Sequence, residues 1–150
     1  MSCRVSEVRQ AVSAQIATLT GFNELRLPPE YFGRSQNTIA HLGYVVAVES
    51  STASNERQRR TVGTMIDTQV KVTFSYRLRP KSAYPTDYDN ALQKEEDVII
   101  ACLSNYATIF DTPPEFQIRY VSSTRRATNS TEWLIIDIFF NALHTITPTI

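Results

Sequence analysis

Val62-Gly63-Thr64-Met65-Ile66-Asp67-Thr68-Gln69-Val70-Lys71-Val72-Thr73-Phe74-Ser75-Tyr76-Arg77-Leu78 alternates from end to end. Val62, Thr64, Ile66, Thr68, Val70, Val72, Phe74, Tyr76 and Leu78 share one side; Gly63, Met65, Asp67, Gln69, Lys71, Thr73, Ser75 and Arg77 share the other. Period two over this length predicts a single half-buried antiparallel strand. At roughly 3.3 Å per residue it runs to about 55 Å, whereas strands commonly hold about five or six residues. A chain of 150 residues has a radius of gyration of only about 15 Å. The strand is therefore expected to overhang the core, and overhanging β-structure is a place for another subunit.

Upstream, Leu42, Tyr44, Val46 and Val48 alternate again and predict a strand from about His41 to Glu49. Ser50 to Arg60 lies between the two strands, small, polar and basic, with no apolar anchor. It reads as a mobile loop or the tip of a hairpin. Further back, Val5, Val8, Val12, Ile16 and Leu19 recur at helical steps, and Gly21 stands where such a helix ends. Asn23 to Asn37 holds Pro28-Pro29, Tyr31, Phe32 and Gly33, which predicts an irregular loop pinned to the body by its aromatics.

Downstream, Pro80 stops the long strand, because proline donates nothing to a ladder. Thr86 or Asp87 is the expected N-cap of a second helix. Its stripe is Ala91, Leu92, Glu95, Val98, Ile99, Cys102, Leu103 and Tyr106, and its acidic first half suits the positive end of the dipole. Asp111-Thr112-Pro113-Pro114 breaks the pattern, and Phe116, Ile118 and Tyr120 form a short strand. Ser122 to Ser130 reads as a second polar, basic loop. Glu132 to Ile146 is a strand with apolar residues on both faces, so it belongs inside the sheet or under a partner. The fold class is α+β in a single domain, 1–150. We expect an antiparallel sheet of about four strands, a long protruding β-hairpin, and two helices packed on one face.

Composition agrees with a folded chain: 42% hydrophobic and 20% charged residues. The Trp133–Ile138 stretch is interrupted by Asp137, far short of a membrane span. Met1-Ser2-Cys3-Arg4 leads into an amphipathic pattern, so we expect no signal peptide and synthesis in the cytoplasm. Cys3 and Cys102 form neither a disulfide framework nor a metal pattern. His41 and His144 stand alone in separate strands, and a satisfied hydrogen bond is the plainer role for each. Serines and threonines sit in loops without glycine elbows, and four glycines leave no phosphate cradle. Glu95-Glu96-Asp97 points in different directions around a helix and reads as a solvated face. No catalytic residue, metal site or cofactor is expected.

Fifteen basic residues balance fifteen acidic ones, so bulk charge does not call for nucleic acid. The local exceptions are Arg57, Arg59 and Arg60 at one turn, and Arg125 and Arg126 at the other. Solvated turn charge is one reading. The guanidinium fork also suits carboxylates of a neighbouring subunit or phosphates of a DNA backbone, and zero net charge favours subunit contacts.

The whole pattern resembles the tail terminator proteins of long-tailed bacteriophages. The resemblance rests on the order helix, proline-containing loop, strand, basic loop and long strand. Within it lie Val72-Thr73-Phe74-Ser75-Tyr76-Arg77-Leu78-Arg79-Pro80-Lys81, then Tyr88-Asp89-Asn90-Ala91-Leu92, and two closing strands with Trp133 near the start of the second. It implies a non-enzymatic virion protein of the tail and neck, commonly a homohexameric ring with a channel for genomic DNA. The implied partners are the tail tube protein and a neck or head-completion protein, with no membrane involved. Another connector or tube component, or a small ferredoxin-like ligand-binding or enzymatic domain, are the alternatives.

Overall fold

The computed structural model describes residues 3–26, 32, 39–53, 64–79, 84–104, 116–127 and 132–146. Its elements are α1 (Val5–Ala17), β1 (Asn23–Glu24), β2 (Gly43–Ala53), β3 (Thr64–Arg77), α2 (Tyr84–Ser104), β4 (Gln117–Ala127) and β5 (Trp133–Ile146). The sheet order is β1-β2-β3-β5-β4.

The alternating stretch is one uninterrupted strand. β3 pairs antiparallel with β5 along its whole length, from Thr64 opposite Ile146 to Arg77 opposite Trp133. On its other side β3 pairs with β2 from Ile66 to Phe74. Much of the expected overhang is thus taken up by β5, which matches β3 residue for residue. β5 lies between β3 and β4, which accounts for its two apolar faces.

Both helices cover one face. Val8, Val12 and Ile16 of α1 and Ala91, Val98 and Cys102 of α2 join Val46, Val70, Val72, Phe74, Ile136, Ile138 and Phe140 in one buried cluster. Each valine, isoleucine or phenylalanine among them contributes about 1.5–3 kcal/mol by leaving water. A smaller cluster of Phe32, Val45 and Ile135, with Leu25 and Ile39 packed against it, lies on the opposite face. Arg4, extended in backbone, is the N-cap residue of α1, and its N–H donates to Glu7 Oε1 at 3.2 Å. Gly21 follows the helix with φ +90°, a left-handed conformation that glycine adopts without a Cβ penalty.

Several expectations need correction. The sheet has five strands and is mixed, because Asn23–Glu24 runs parallel to Gly43–Tyr44. Two residues are too few to show a period. β2 continues to Ala53, taking in residues expected to be loop; Ser50 to Ala53 pair with Gln69 to Ile66 beyond a bulge at Glu49. β4 runs on to Ala127 through the expected loop. Polar residues on an exposed ladder need backbone pairing and no burial, so alternation vanished there while the strand persisted. α2 begins at Tyr84, with Pro85 in its first turn, where a missing N–H costs nothing. Asp87 is not its N-cap; it accepts the Arg79 N–H at 2.7 Å. The Pro28–Gly33 loop apart from Phe32, the hairpin tip at 54–63, Tyr106 and residues 128–130 lie outside the described residues.

Candidate interaction surface

Two long edges of this sheet, that of β4 and that of β2 beyond Tyr44, are unpaired among the described residues. β4 is the last strand on its side, and only β5 pairs with it. Its burial pattern is exposed at nearly every position after Ile118. The ladder slips between Tyr120 and Ser122, so Val121 is an extra, bulged residue. Three large apolar side chains are exposed among the described residues: Tyr120 at 41%, Val121 at 48% and Ile100 at 59%. Two sit at this bulge, and the third is on α2, the helix that packs beside β4. Tyr120 is braced by Ser123 Oγ at 2.8 Å and by an edge-to-face contact with Phe140.

On the other side β1 pairs with Gly43 and Tyr44, Leu25 N donates to Tyr44 O at 2.9 Å, and no strand among the described residues pairs with this edge of β2 beyond Tyr44. The freed edge borders a groove of about 370 Å³ lined by Arg9, Glu24, Leu25 and Val45–Val48. Glu24 is held at its rim by both oxygens, Oε1 by Arg9 Nη1 at 3.3 Å and Oε2 by Ser13 Oγ at 2.9 Å. Beneath it the Tyr44 hydroxyl donates to Ser13 O at 3.1 Å, and burial pushes that phenol upward in pKa.

The basic residues singled out by sequence fall apart into two groups. Arg57, Arg59 and Arg60 lie outside the described residues. Arg125 and Arg126 stand on β4 rather than in a loop. As neighbours in a strand they serve opposite faces. Arg125 Nε lies 3.1 Å from Glu95 Oε2, with Nη2 on the same oxygen. Arg126 Nη1 reaches Asp137 Oδ2 at 3.1 Å, while Thr73 Oγ1 donates to Asp137 Oδ1 at 2.6 Å. Both carboxylates are nearly inaccessible and both arginines remain about half exposed. Each arginine is thus the counter-charge of a buried acid, with further N–H donors left over. The hydrogen bond to Glu95 raises the Arg125 pKa further, so it stays charged.

Glu95 was expected in a solvated face, and that is corrected: it is 2% exposed. The signal lay in its place on the α2 stripe, four residues after Ala91 and three before Val98. Both histidines are satisfied. His144 Nδ1 lies 2.7 Å from Cys3 O, which only accepts, so Nδ1 donates; in the neutral imidazole Nε2 then accepts from Thr68 Oγ1 at 2.7 Å. His41 Nδ1 accepts the Arg77 N–H at 3.2 Å. Burial, then Lys94 and Arg77, lower its pKa. The Cys3 and Cys102 thiols are buried and pushed up to about 12, which removes the thiolate that reactivity needs. Among the described residues no three His, Cys, Asp or Glu side chains are grouped to hold a metal. No described helix is long and apolar enough to cross a membrane.

Fold and surface together define an α+β chain with helices on one sheet face and, among the described residues, two unpaired sheet edges, one bearing exposed Tyr120 and Val121 and one bordering a groove. No protein-family model matches the chain, and no curated protein matches it. A solved structure described as "Virion of native gene transfer agent (GTA) particle" is similar over 92% of this chain and 94% of that one, at 15% identity and a TM-score of 0.44. At that score the likeness assigns neither family nor role.

Proposed function

We propose that this chain is a non-enzymatic structural subunit of a phage-type virion that assembles with copies of itself. In this reading a ring, of six subunits as in the tail terminator proteins the sequence resembles, caps the tail tube. It meets the tube protein on one side and a neck or head-completion protein on the other, and genomic DNA passes through its channel. The observation that carries the reading is the pair of edges left unpaired on a single sheet among the described residues. An exposed edge is a template for a further strand, and closure into a ring removes it. Support also comes from the element order helix, strand, long strand, helix, strand, strand, which the sequence resemblance rests on. Arg57, Arg59 and Arg60 are the proposed contacts to an acidic face of a neighbour or to DNA. Arg125 and Arg126 would add to them through the donors their internal pairs leave free.

Native mass spectrometry and averaging of stained particles of the purified protein test this. A sixfold ring is expected. A twelvefold ring would move the chain to a connector position. A stable monomer at micromolar concentration with a small molecule bound in a hydrophobic pocket would favour the ferredoxin-like alternative. A wide channel also calls for weak DNA binding that falls steeply with salt.

A further inference from the structure

At the end of the sheet where β2 begins, a fixed hydrogen-bond donor stands among cations that no acid offsets. Ala40 to Gly43 turn tightly against β3, with Leu42 N donating to Ser75 O at 2.8 Å and Gly43 N to Ala40 O at 2.9 Å. Leu42 takes φ +57° there, a left-handed conformation that costs a non-glycine residue energy and persists only where surrounding contacts hold it. The turn fixes His41. Its ring lies edge-to-face on Tyr76, with centroids 4.6 Å apart, and its Nδ1 accepts the Arg77 N–H at 3.2 Å. In the neutral imidazole the hydrogen is therefore on Nε2. His41 is exposed, and this second N–H has no partner among the described residues.

Lys94 on α2 and Arg77 on β3 stand around this ring. Burial, then the charges of Lys94 and Arg77, lower the His41 pKa, so both cations are near enough to oppose its protonation. Elsewhere the chain matches its cations with acids: Arg9, Lys71, Arg79, Arg125 and Arg126 each have one. Neither Lys94 nor Arg77 has an ion pair among the described residues, and the Arg77 guanidinium lies over the Trp133 ring, 6.0 Å from its centre. Asp87, the acid that acts on His41, is already filled by Arg79, with Nη2 on Oδ1 at 2.9 Å and the backbone N–H on Oδ2 at 2.7 Å. We propose that this corner binds a phosphate group, with His41 Nε2–H and Lys94 Nζ as donors and Arg77 supplying further charge. A tetrahedral phosphate offers oxygens to donors that arrive from different elements, and an ammonium binds it as a point charge. A planar carboxylate is matched best by one guanidinium fork. The phosphate is either a free anion or part of a nucleic-acid backbone. The site forms within one chain, so it goes beyond the self-assembly reading and does not depend on it.

The chain has 2 histidines, and their imidazole Cε1–H resonances give the test. Sodium phosphate is titrated into the full chain at neutral pH, with sodium chloride and sodium acetate at matched ionic strength beside it. Phosphate is expected to move the His41 resonance saturably and to leave that of buried His144 in place. Lys94→Gln and Arg77→Gln are each expected to weaken binding about 10-fold. Neither removes an internal ion pair, and an unmoved His144 resonance shows that the core is intact; where Arg77→Gln disturbs it, Lys94→Gln decides alone. A short DNA duplex is the second probe. Movement of the same resonance by the duplex, fading with salt, assigns the site to a nucleic-acid backbone, and a response to inorganic phosphate alone assigns it to the free anion. An equal response to chloride is screening and overturns the site. An equal response to acetate overturns the choice of phosphate over carboxylate. Undiminished binding by both variants overturns the assigned residues, and a His41 resonance that neither phosphate nor duplex moves overturns the proposal outright.

Discussion

Arg126 reaches diagonally across the ladder to Asp137: it stands opposite Ile135, yet its Nη1 lies 3.1 Å from Asp137 Oδ2. Thr73 on β3 occupies the other carboxylate oxygen, so one acid laces three adjacent strands on the face away from the helices. Breaking one partner of a buried ion pair costs more than replacing the whole group with apolar side chains. Arg126→Leu is expected to lower stability by about 1–2 kcal/mol, a value kept small because the guanidinium is half exposed. The combined Thr73→Val, Arg126→Leu and Asp137→Leu variant is expected to return to within about 1 kcal/mol of the parent. Urea unfolding of both decides it. A combined variant weaker than the single one would contradict the account.

Arg125 faces a harsher test. Glu95 Oε1 has no hydrogen-bond partner among the described residues, whereas both oxygens of Asp137 are held. Removing Arg125 leaves an almost fully buried carboxylate without its counter-charge. Arg125→Ala should therefore cost more than Arg126→Ala, about 2–3 kcal/mol against about 1–2. The same urea series measures the order, and a reversed order would show that Glu95 is solvated after all.

Which parts of this fold are legible in the sequence follows from where side-chain pattern and backbone need coincide. From Thr68 to Phe74 one face is fully buried and the other is largely polar, so alternation marks the strand there. Val8, Val12 and Ile16 mark α1 for the same reason. Ser122 to Ala127 is held by backbone bonds to β5 on one side, with little burial on either face, so composition imitates a loop. Asn23–Glu24 is placed by the path of the chain past Gly43, with no pattern of its own. The buried acids were hidden because their partners are distant: Glu95 and Arg125 are far apart in sequence, and only the packing of α2 beside β4 joins them. The groove was invisible because its lining joins Arg9, Glu24 and Leu25 to Val45–Val48 across distant parts of the sequence.

Asp87 gives a pH dependence with a definite sign. The side-chain and backbone hydrogen bonds from Arg79 hold its carboxyl below the ordinary carboxylate value. A depressed folded pKa stabilises the protein above the unfolded value of about 3.9, and that stability is lost as pH falls through the folded pKa. Asp87→Asn is expected to be less stable than the parent at pH 6, with the difference shrinking as the pH falls below about 4. Chemical denaturation at intervals between these limits follows the gap. A gap that widens on acidification would be inconsistent with the pairing.

Charge reversal at Arg57, Arg59 and Arg60 separates assembly from folding. The three lie in the small, polar and basic stretch Ser50–Arg60, which carries no apolar anchor, so Arg→Glu at all three should leave the far-ultraviolet dichroism and unfolding midpoint near those of the parent. Assembly into rings or tail-competent particles is expected to fall, because three guanidinium donors become three carboxylates. Undiminished assembly of the triple variant would remove this turn from the proposed contact surface.

Thr68 sits at the centre of a hydrogen-bonded chain that ties the base of the hairpin to the start of α1. Ser51 Oγ lies 2.9 Å from its hydroxyl, His144 Nε2 lies 2.7 Å away, and His144 Nδ1 donates to Cys3 O at 2.7 Å. Since Nε2 accepts, Thr68 must donate to it, and its oxygen is left to accept from Ser51. One fully buried hydroxyl therefore links β2 and β5 through β3. Thr68→Val keeps the shape and removes both bonds, leaving the imidazole nitrogen buried with nothing to accept from. A loss of about 1–3 kcal/mol is expected. Thr68→Ser keeps the hydroxyl and sheds one methyl group, so it should cost about 1 kcal/mol. If valine proves no worse than serine in urea unfolding, the chain contributes only packing at this position.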